Sequence, residues 1–214
     1  VSARIVWSTV GADQVLAYCA RVSNPAHQDN PDVSRLLRYC ANHQHWSPFE
    51  MASACLEVTT TRDIARQILR HRSFSFQEFS QRYATAGELP TAPLRECRLQ
   101  DHSNRQSSLD CEDDALSIAW AEAQEEVQYI ALNRYRWALS KGIAKEQARA
   151  LLPEGLTTSR LYVAGTLRSW ITYLQVRLDS STQREHQDVA RAVLAELRAV
   201  APVTIGAFFP ETAA

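Results

Sequence analysis

The stretch R-Q-I-L-R-H-R-S-F-S-F-Q-E-F-S-Q-R-Y, from Arg66 to Tyr83, is the most chemically dense part of the chain. It carries Arg66, Arg70, His71, Arg72 and Arg82, the hydroxyls of Ser73, Ser75 and Ser80, and the acid Glu78. Ile64, Ala65, Ile68 and Leu69 recur at helical spacing, which predicts a helix over 61–71. Gln67, Arg70 and His71 then share one face, three and four residues apart. The next residues, 73–81, lack a clear period and read as an ordered loop. Arg70, His71 and Arg72 repel one another unless water or an anion neutralises them. A serine-rich loop offers a phosphate hydroxyls and backbone N–H groups. The plainer reading is a solvated basic face with capping serines.

Upstream, Ala52, Ala54, Leu56 and Val58 alternate before a threonine run, which predicts a strand over 51–61 with one buried face. Residues 13–21 read as a short helix. Asn30-Pro31 looks like the start of another, with Asn as N-cap, Pro at the first helical position, and Leu36, Leu37 and Cys40 on its buried side. Residues 43–48 form a polar break. Downstream, 83–99 fits loop or short strand, and 100–111 is polar enough for a mobile surface loop. Ala115, Ala119, Ala123, Val127 and Ala131 form an i, i+4 row on a long helix, for which Gly142 is a C-cap. A short helix over 146–152 stops at Pro153. Segments 160–178 and 182–200 read as two further helices. This irregular alternation predicts an α+β fold, a small central sheet packed with helices. No internal repeat or domain boundary is visible, so residues 1–214 are expected to form one domain.

Composition narrows the function. The chain has 214 residues, 23 Lys+Arg against 24 Asp+Glu, and a formal net charge of -1. That balance argues against a general nucleic-acid binder, which carries a basic excess, and against a polybasic membrane-surface protein. Only two basic residues are lysine, Lys141 and Lys145. Arginine is the side chain that grips phosphate and carboxylate with two parallel hydrogen bonds; a GC-rich coding bias would also explain its excess. The five cysteines include no C-x-x-C pair. They suggest neither a disulfide framework nor a zinc site, read as small buried hydrophobes, and fit a reducing cytoplasm. No metal is expected. The first residues carry no secretory-length apolar run, and no stretch approaches the roughly 20 apolar residues of a membrane span.

A second polar cluster comprises Arg149, Arg160, Arg168 and Arg177, followed by Gln183, Glu185 and His186. On one straight helix, Arg168 and Arg177 fall on opposite faces, because nine steps of about 100° make two and a half turns. They cannot both serve one small ligand on one subunit, which favours an oligomer whose helix is shared between sites.

The residues now carry a resemblance. Arg70-His71-Arg72, seven further residues and then Ser80 resemble the R-H-R-x7-S motif of the flavin-dependent thymidylate synthase family. Pro48-Phe49-Glu50, Ala65-Arg66-Gln67, Glu78 and Arg82-Tyr83 match its flanks. Ala148-Arg149 before Leu152-Pro153 resembles its substrate-binding arginine segment. Leu167-Arg168-Ser169, Val176-Arg177, Gln183 and Glu185 resemble its C-terminal block. The match runs in order over about residues 45–190.

The resemblance implies reductive methylation at C5 of a uridine monophosphate, UMP or dUMP. Methylenetetrahydrofolate (5,10-methylenetetrahydrofolate) would supply the carbon and NADPH-reduced FAD the hydride, in homotetramers with sites at subunit interfaces. It implies that Arg70, His71, Arg72, Ser73 and Glu78 line the flavin and folate side, with Arg168, Thr166 and Thr172 also on the flavin. Ser80, Gln81 and Arg82 would hold the nucleotide, with Gln67 and Arg149 from a neighbouring chain. Arg177 would face the uracil carbonyls, where a cation stabilises negative charge as C6 accepts a nucleophile. Arg177, Ser80 and His71 are the expected catalytic residues.

Several positions depart from the family pattern. Met51 stands where the family has His, Gln77 where it has Asn, and Gln81 where it has a small Gly. Thr166 and Thr172 replace two Asn, Ser181 replaces a His, and one residue is inserted between Pro153 and Arg160. One branch of the family methylates UMP in polyoxin-type antibiotic biosynthesis, and Gln81 beside Ser80 could reach a ribose 2′-hydroxyl. A site built to bond a hydroxyl discriminates strongly when that group is missing. The UMP-accepting branch and a dUMP-specific enzyme both fit. Other readings are a flavin-dependent NADPH oxidase lacking methyl transfer, motivated by Met51, and a non-catalytic nucleotide- or RNA-binding protein using the basic loop.

Overall fold

The computed structural model describes residues 1–210. Its frame is a four-stranded antiparallel sheet in the order β1-β2-β6-β3. The strands are β1 (Ser2–Ser8), β2 (Ser53–Thr61), β3 (Ser75–Glu78) and β6 (Thr158–Thr166). The short strands β4 (Arg98–Gln100) and β5 (Ser108–Asp110) form a separate hairpin. The helices are α1 (Ala12–Ala20), α2 (Ser34–Asn42), α3 (Arg62–Ile68), α4 (Asp114–Ser140), α5 (Lys145–Ala148), α6 (Leu167–Arg177), α7 (Arg184–Val200) and α8 (Pro202–Phe208). Helices cover the sheet, so the α+β arrangement with a small helix-packed sheet is the fold observed. Its core runs from Leu16 and Leu37 through Leu56, Ile64 and Leu161 to Trp170, Leu174 and Leu197, each fully buried.

The central pair, β2 and β6, matches Ser53–Thr61 with Thr158–Thr166 without a register break. The expectation of one helix over 160–178 is corrected here. Ser159, Leu161 and Val163 face the core while Arg160 and Tyr162 are more exposed, so this stretch has period two. Helix begins only where the Thr166 side chain accepts from the Ser169 N–H at 3.3 Å, an N-cap. Arg160 is therefore a strand residue. Arg168 and Arg177 remain on one helix, α6, and on opposite faces.

Five further departures from expectation follow. Residues 75–78 form the edge strand β3, with Phe76 paired to Val163, where a loop was expected. The polar stretch 100–111 is partly ordered: β5 pairs with β4, and only the tip between them is a loop. β1 was not anticipated. Helix α2 starts at Ser34, because the Asn30 and Asp32 side chains accept the Asp32 and Ser34 N–H groups and form turns there. The predicted helix over 61–71 ends at Ile68. Arg70 and His71 follow in tighter turns, with the Arg70 N–H bonded to the Gln67 carbonyl and the His71 N–H to the Ile68 carbonyl. Gly142 closes α4 at φ 79°, as expected for a left-handed cap, and the N–H groups of Gly142 and Ile143 bond the carbonyls of Leu139 and Ala138. Of the cysteines, Cys40 and Cys55 are buried, while Cys19, Cys97 and Cys111 are partly exposed.

Candidate functional site

α3 and α6 flank one end of the sheet and bring His71 and Arg177 together. Arg177 Nε donates to His71 Nε2 at 2.9 Å. A nitrogen that accepts cannot carry the proton, so neutral His71 holds it on Nδ1. Burial and then the Arg177 guanidinium push the imidazole down from 6.5 to about 4. At neutral pH it is an uncharged ring with one free donor. Arg177 itself is lowered, mainly by burial. Its four Nη hydrogens remain available, because the His71 bond engages only Nε.

Behind this pair lies a buried polar chain with one direction. The Tyr173 ring meets His71 edge-on at 5.0 Å. Tyr173 Oη donates to His186 Nε2 at 3.1 Å, and His186 Nδ1 donates to Gln67 Oε1 at 3.0 Å. Gln67 Nε2 donates to Gln183 Oε1 at 2.9 Å, and Gln183 Nε2 to Glu185 Oε2 at 2.8 Å. Arg98 Nη2 closes the chain on Glu185 Oε1. The Gln67 amide fixes the sense, since its nitrogen is engaged by Gln183 and only its oxygen is left for His186. A protonated His186 would donate from both nitrogens and deprive Tyr173 of its acceptor. Consistent with that, burial, then Arg177, then His71 push His186 down to about 3. Burial raises the Tyr173 phenol. His186 is fully buried.

A cavity of about 590 Å³ opens in front of these residues. Gln67, Val176, Arg177, Ser181 and Gln183 line it, joined by Gln106 from the tip of the β4–β5 hairpin. Sequence reasoning gave Tyr173 and Gln106 no role and assigned none to His186. Tyr173 stands four residues before Arg177, one helical turn, which is the signal that could have found it. Gln106 lay in a stretch expected to be mobile.

The remaining predicted residues fall into other groups. On the opposite face of α6, Arg168 Nη1 donates to Glu50 Oε1 at 2.9 Å and its guanidinium lies 5.8 Å from the Trp46 ring centre. Thr166 Oγ1 donates to Glu50 Oε2, while Thr172 turns back to the Arg168 and Ser169 carbonyls. Ser73 presents its carbonyl to Ser169 Oγ at 3.2 Å. Glu78 Oε1 accepts from Ser159 Oγ at 2.7 Å, with Arg62 at 3.7 Å. Met51 is exposed beside Glu50. Ser80 Oγ accepts from the Arg82 N–H, and Arg82 pairs with Glu146 at 3.4 Å, three residues before Arg149. No hydrogen bond or ion pair among the described residues joins Ser80, Arg82 or Arg149 to Arg177 or Gln67. Gln81 is 3% exposed and its Nε2 has no partner. Reaching a sugar would require this side chain to swing out of the interior.

Arg70 and Arg72 are exposed and make no side-chain hydrogen bond or ion pair among the described residues. Free guanidinium forks beside a neutral imidazole and a serine turn are a donor set suited to the diphosphate and ring of a flavin dinucleotide. The residues present therefore fit that cofactor.

Comparison with known proteins agrees with this geometry. The profile of the family described as Thy1, thymidylate synthase complementing protein, matches residues 4–203. A flavin-dependent thymidylate synthase of Synechocystis sp. is 52% identical over 178 residues, 83% of this chain and 80% of that protein. A probable flavin-dependent thymidylate synthase of Paramecium bursaria Chlorella virus 1 is 50% identical over 182 residues, 85% of this chain and 83% of that protein. Among solved structures, the UMP/dUMP methylase PolB from Streptomyces cacaoi, bound with 5-Br dUMP, superposes with a TM-score of 0.82 at 28% identity. That match covers 97% of this chain and 93% of PolB's. The ordered R-H-R-x7-S motif, the His71–Arg177 pair it forms, and these matches together place the chain in the flavin-dependent thymidylate synthase family, as an enzyme of thymidylate-synthase type.

Proposed function

We propose that this enzyme methylates C5 of a uridine 5′-monophosphate, taking the carbon from methylenetetrahydrofolate and the hydride from FAD reduced by NADPH. The observation that carries this reading is the His71–Arg177 pair, a neutral imidazole bonded to the guanidinium that lines the Gln67 cavity. FAD, when bound, supplies the hydride. Arg177 faces the uracil carbonyl with its Nη groups, aimed by the bond from its Nε to His71. Gln67, held at both ends of its amide, orients the nucleotide. Arg70, Arg72 and Ser73 hold the flavin, with Arg168, Thr166 and Thr172 from the other face of α6 and Glu78 from β3. Ser80, Arg82 and Arg149 hold the nucleotide phosphate and sugar from a second subunit.

That two-chain arrangement supports a homotetramer. No hydrogen bond or ion pair among the described residues joins Ser80, Arg82 or Arg149 to the Arg177 group. In addition, away from Trp120, α4 exposes Ile118, Val127, Tyr129, Ile130 and Trp137, apolar side chains of the kind that oligomer interfaces cover. The whole of 1–214 acts as one domain in this reading. The reading takes the enzyme as cytoplasmic and without a nucleic-acid partner; among the described residues no helix is long and apolar enough to cross a membrane. dUMP is the favoured substrate: both relatives at about half identity are named thymidylate synthases, and the Gln81 side chain is buried. The overall likeness to PolB keeps UMP as the second reading. One preparation assayed with dUMP and UMP decides between them. A dUMP preference of two orders or more removes the UMP branch. A yellow protein that consumes NADPH without forming a 5-methylated product would overturn both in favour of an oxidase.

A further inference from the structure

A cleft of about 900 Å³ lies between the β4–β5 hairpin and the start of α7, beside the Arg177 cavity. Five arginines line it, Arg95, Arg98, Arg105, Arg184 and Arg191, against one acid, Glu96. Several of their donors are engaged: Arg184 by Glu96 and Asp110, Arg191 by Asp188, and Arg95 Nη2 by Asp63. Others are not. The Arg98 side chain is nine-tenths buried; Glu185 holds its Nη2, and its Nη1 is buried with no partner. Arg95 Nε is in the same condition. Arg105, exposed at the hairpin tip, makes no side-chain hydrogen bond or ion pair among the described residues. Buried donors without acceptors are rare in folded proteins, and guanidinium forks match phosphate oxygens in pairs. The lining also includes the apolar side chains of Leu99, Leu116 and Trp120. Trp120 anchors its indole N–H on the Arg95 carbonyl at 3.0 Å and remains well exposed. Arginine forks and an exposed indole in one cleft combine phosphate binding with a stacking surface for a base.

The cleft also leads to the reaction site. It shares Gln106, Thr182 and Gln183 with the cavity that holds Arg177 and Gln67. A ligand longer than one nucleotide could lie with its anionic end in the cleft and its other end beside His71. We propose that the cleft binds the phosphorylated adenine end of the nicotinamide dinucleotide reductant, phosphates on Arg98 and Arg105 and adenine against Trp120. This rests on the reading that NADPH reduces the enzyme.

The test titrates the flavin-loaded protein with adenosine 2′,5′-bisphosphate, following tryptophan fluorescence and heat. The proposal expects saturable binding, weakened at least tenfold in Arg105→Glu. The fluorescence change is lost in Trp120→Phe while the heat persists. In steady state, Arg105→Glu raises the NADPH KM at least tenfold and leaves the dUMP KM unchanged. Two results overturn the proposal: wild-type binding that Arg105→Glu does not weaken, or a variant whose KM rises for a triglutamylated folate and not for NADPH, which assigns the cleft to the folate's carboxylate tail. Arg105-dependent binding of the bisphosphate to a preparation that oxidises no NADPH supports the site and removes only the functional reading beneath it.

Discussion

Acidification should weaken this protein through His186, and the size of the effect follows from its surroundings. In the folded chain His186 is buried between the Tyr173 hydroxyl and the Gln67 amide, near Arg177 and His71, and its pKa falls from 6.5 to about 3. The sign is that of a depressed base. Below 6.5 the unfolded chain takes up a proton that the folded chain refuses. The associated stability is therefore complete above 6.5 and is lost as pH falls toward 3. Between pH 7 and pH 5 the loss for such a group is about 2 kcal/mol, taking about 1.4 kcal/mol per pH unit below the unfolded pKa. His71, lowered to about 4, acts with the same sign, and partial solvent exposure reduces its share. For a chain of this length, 2 kcal/mol is about 4–8 °C of melting temperature. The informative variant is His186→Gln, whose amide can both donate and accept and cannot titrate. At pH 7 it should be less stable by about 1–3 kcal/mol, because its amide meets the two partners with poorer geometry. At pH 5 the gap to wild type should shrink by about 2 kcal/mol. Urea unfolding at pH 7, 6 and 5, at one protein concentration, measures this. If the variant loses as much stability as wild type over that range, His186 is not the acid-sensitive group and the directional hydrogen-bond chain is misread.

Two further outcomes follow from single contacts. Arg177→Ala should lower turnover about 10²–10³-fold, the usual effect of removing one donor aimed at developing charge. Arg177→Lys should recover little, since an ammonium cannot hold His71 and the substrate together; near-normal single-turnover rates in the alanine variant would remove Arg177 from the chemistry. In Gly165→Ala, the new Cβ would stand 2.4 Å from Phe74 Cδ1 and 2.8 Å from Cε1. Phe74 is wedged against Trp170 at 4.5 Å and follows the Arg70-His71-Arg72-Ser73 turn. Overpacking of this kind costs about 1–3 kcal/mol, so calorimetry should show a melting point lower by several degrees, partly restored by adding Phe74→Leu.

Much of the fold was legible from local patterns. The alternation of Ala54, Leu56 and Val58 marks β2 as a strand, although Cys55 and Glu57 on its other face are buried as well, where one exposed face was expected, because β2 is the inner strand between β1 and β6. Helix α4 ends at a glycine with positive φ, as expected. Reading 160–178 as one helix failed because the alternation of Ser159, Leu161 and Val163 is too short to stand out before the helix that follows, and the boundary depends on the Thr166 cap and on pairing with β2. The edge strand β3 is four residues long, too short for its period to stand out among serines. Of the site, the arginines and histidine of the motif were readable because like charges at consecutive positions need a reason. The Arg168–Arg177 opposition survived the correction of the helix start, since it depends only on their spacing of nine within α6.

The order of the motif residues determined by itself which family this chain belongs to, what kind of reaction it runs, and that Arg168 and Arg177 serve different surfaces. These follow from chemistry and spacing along one chain. Tertiary structure alone decided that Arg177 bonds His71, that Gln67 and Tyr173 meet through a buried neutral histidine, and that Gln106 reaches the same cavity as Arg177. Those contacts join residues as many as 119 positions apart. Their protonation states come from burial and from neighbours on other elements, and no local pattern of residues encodes either.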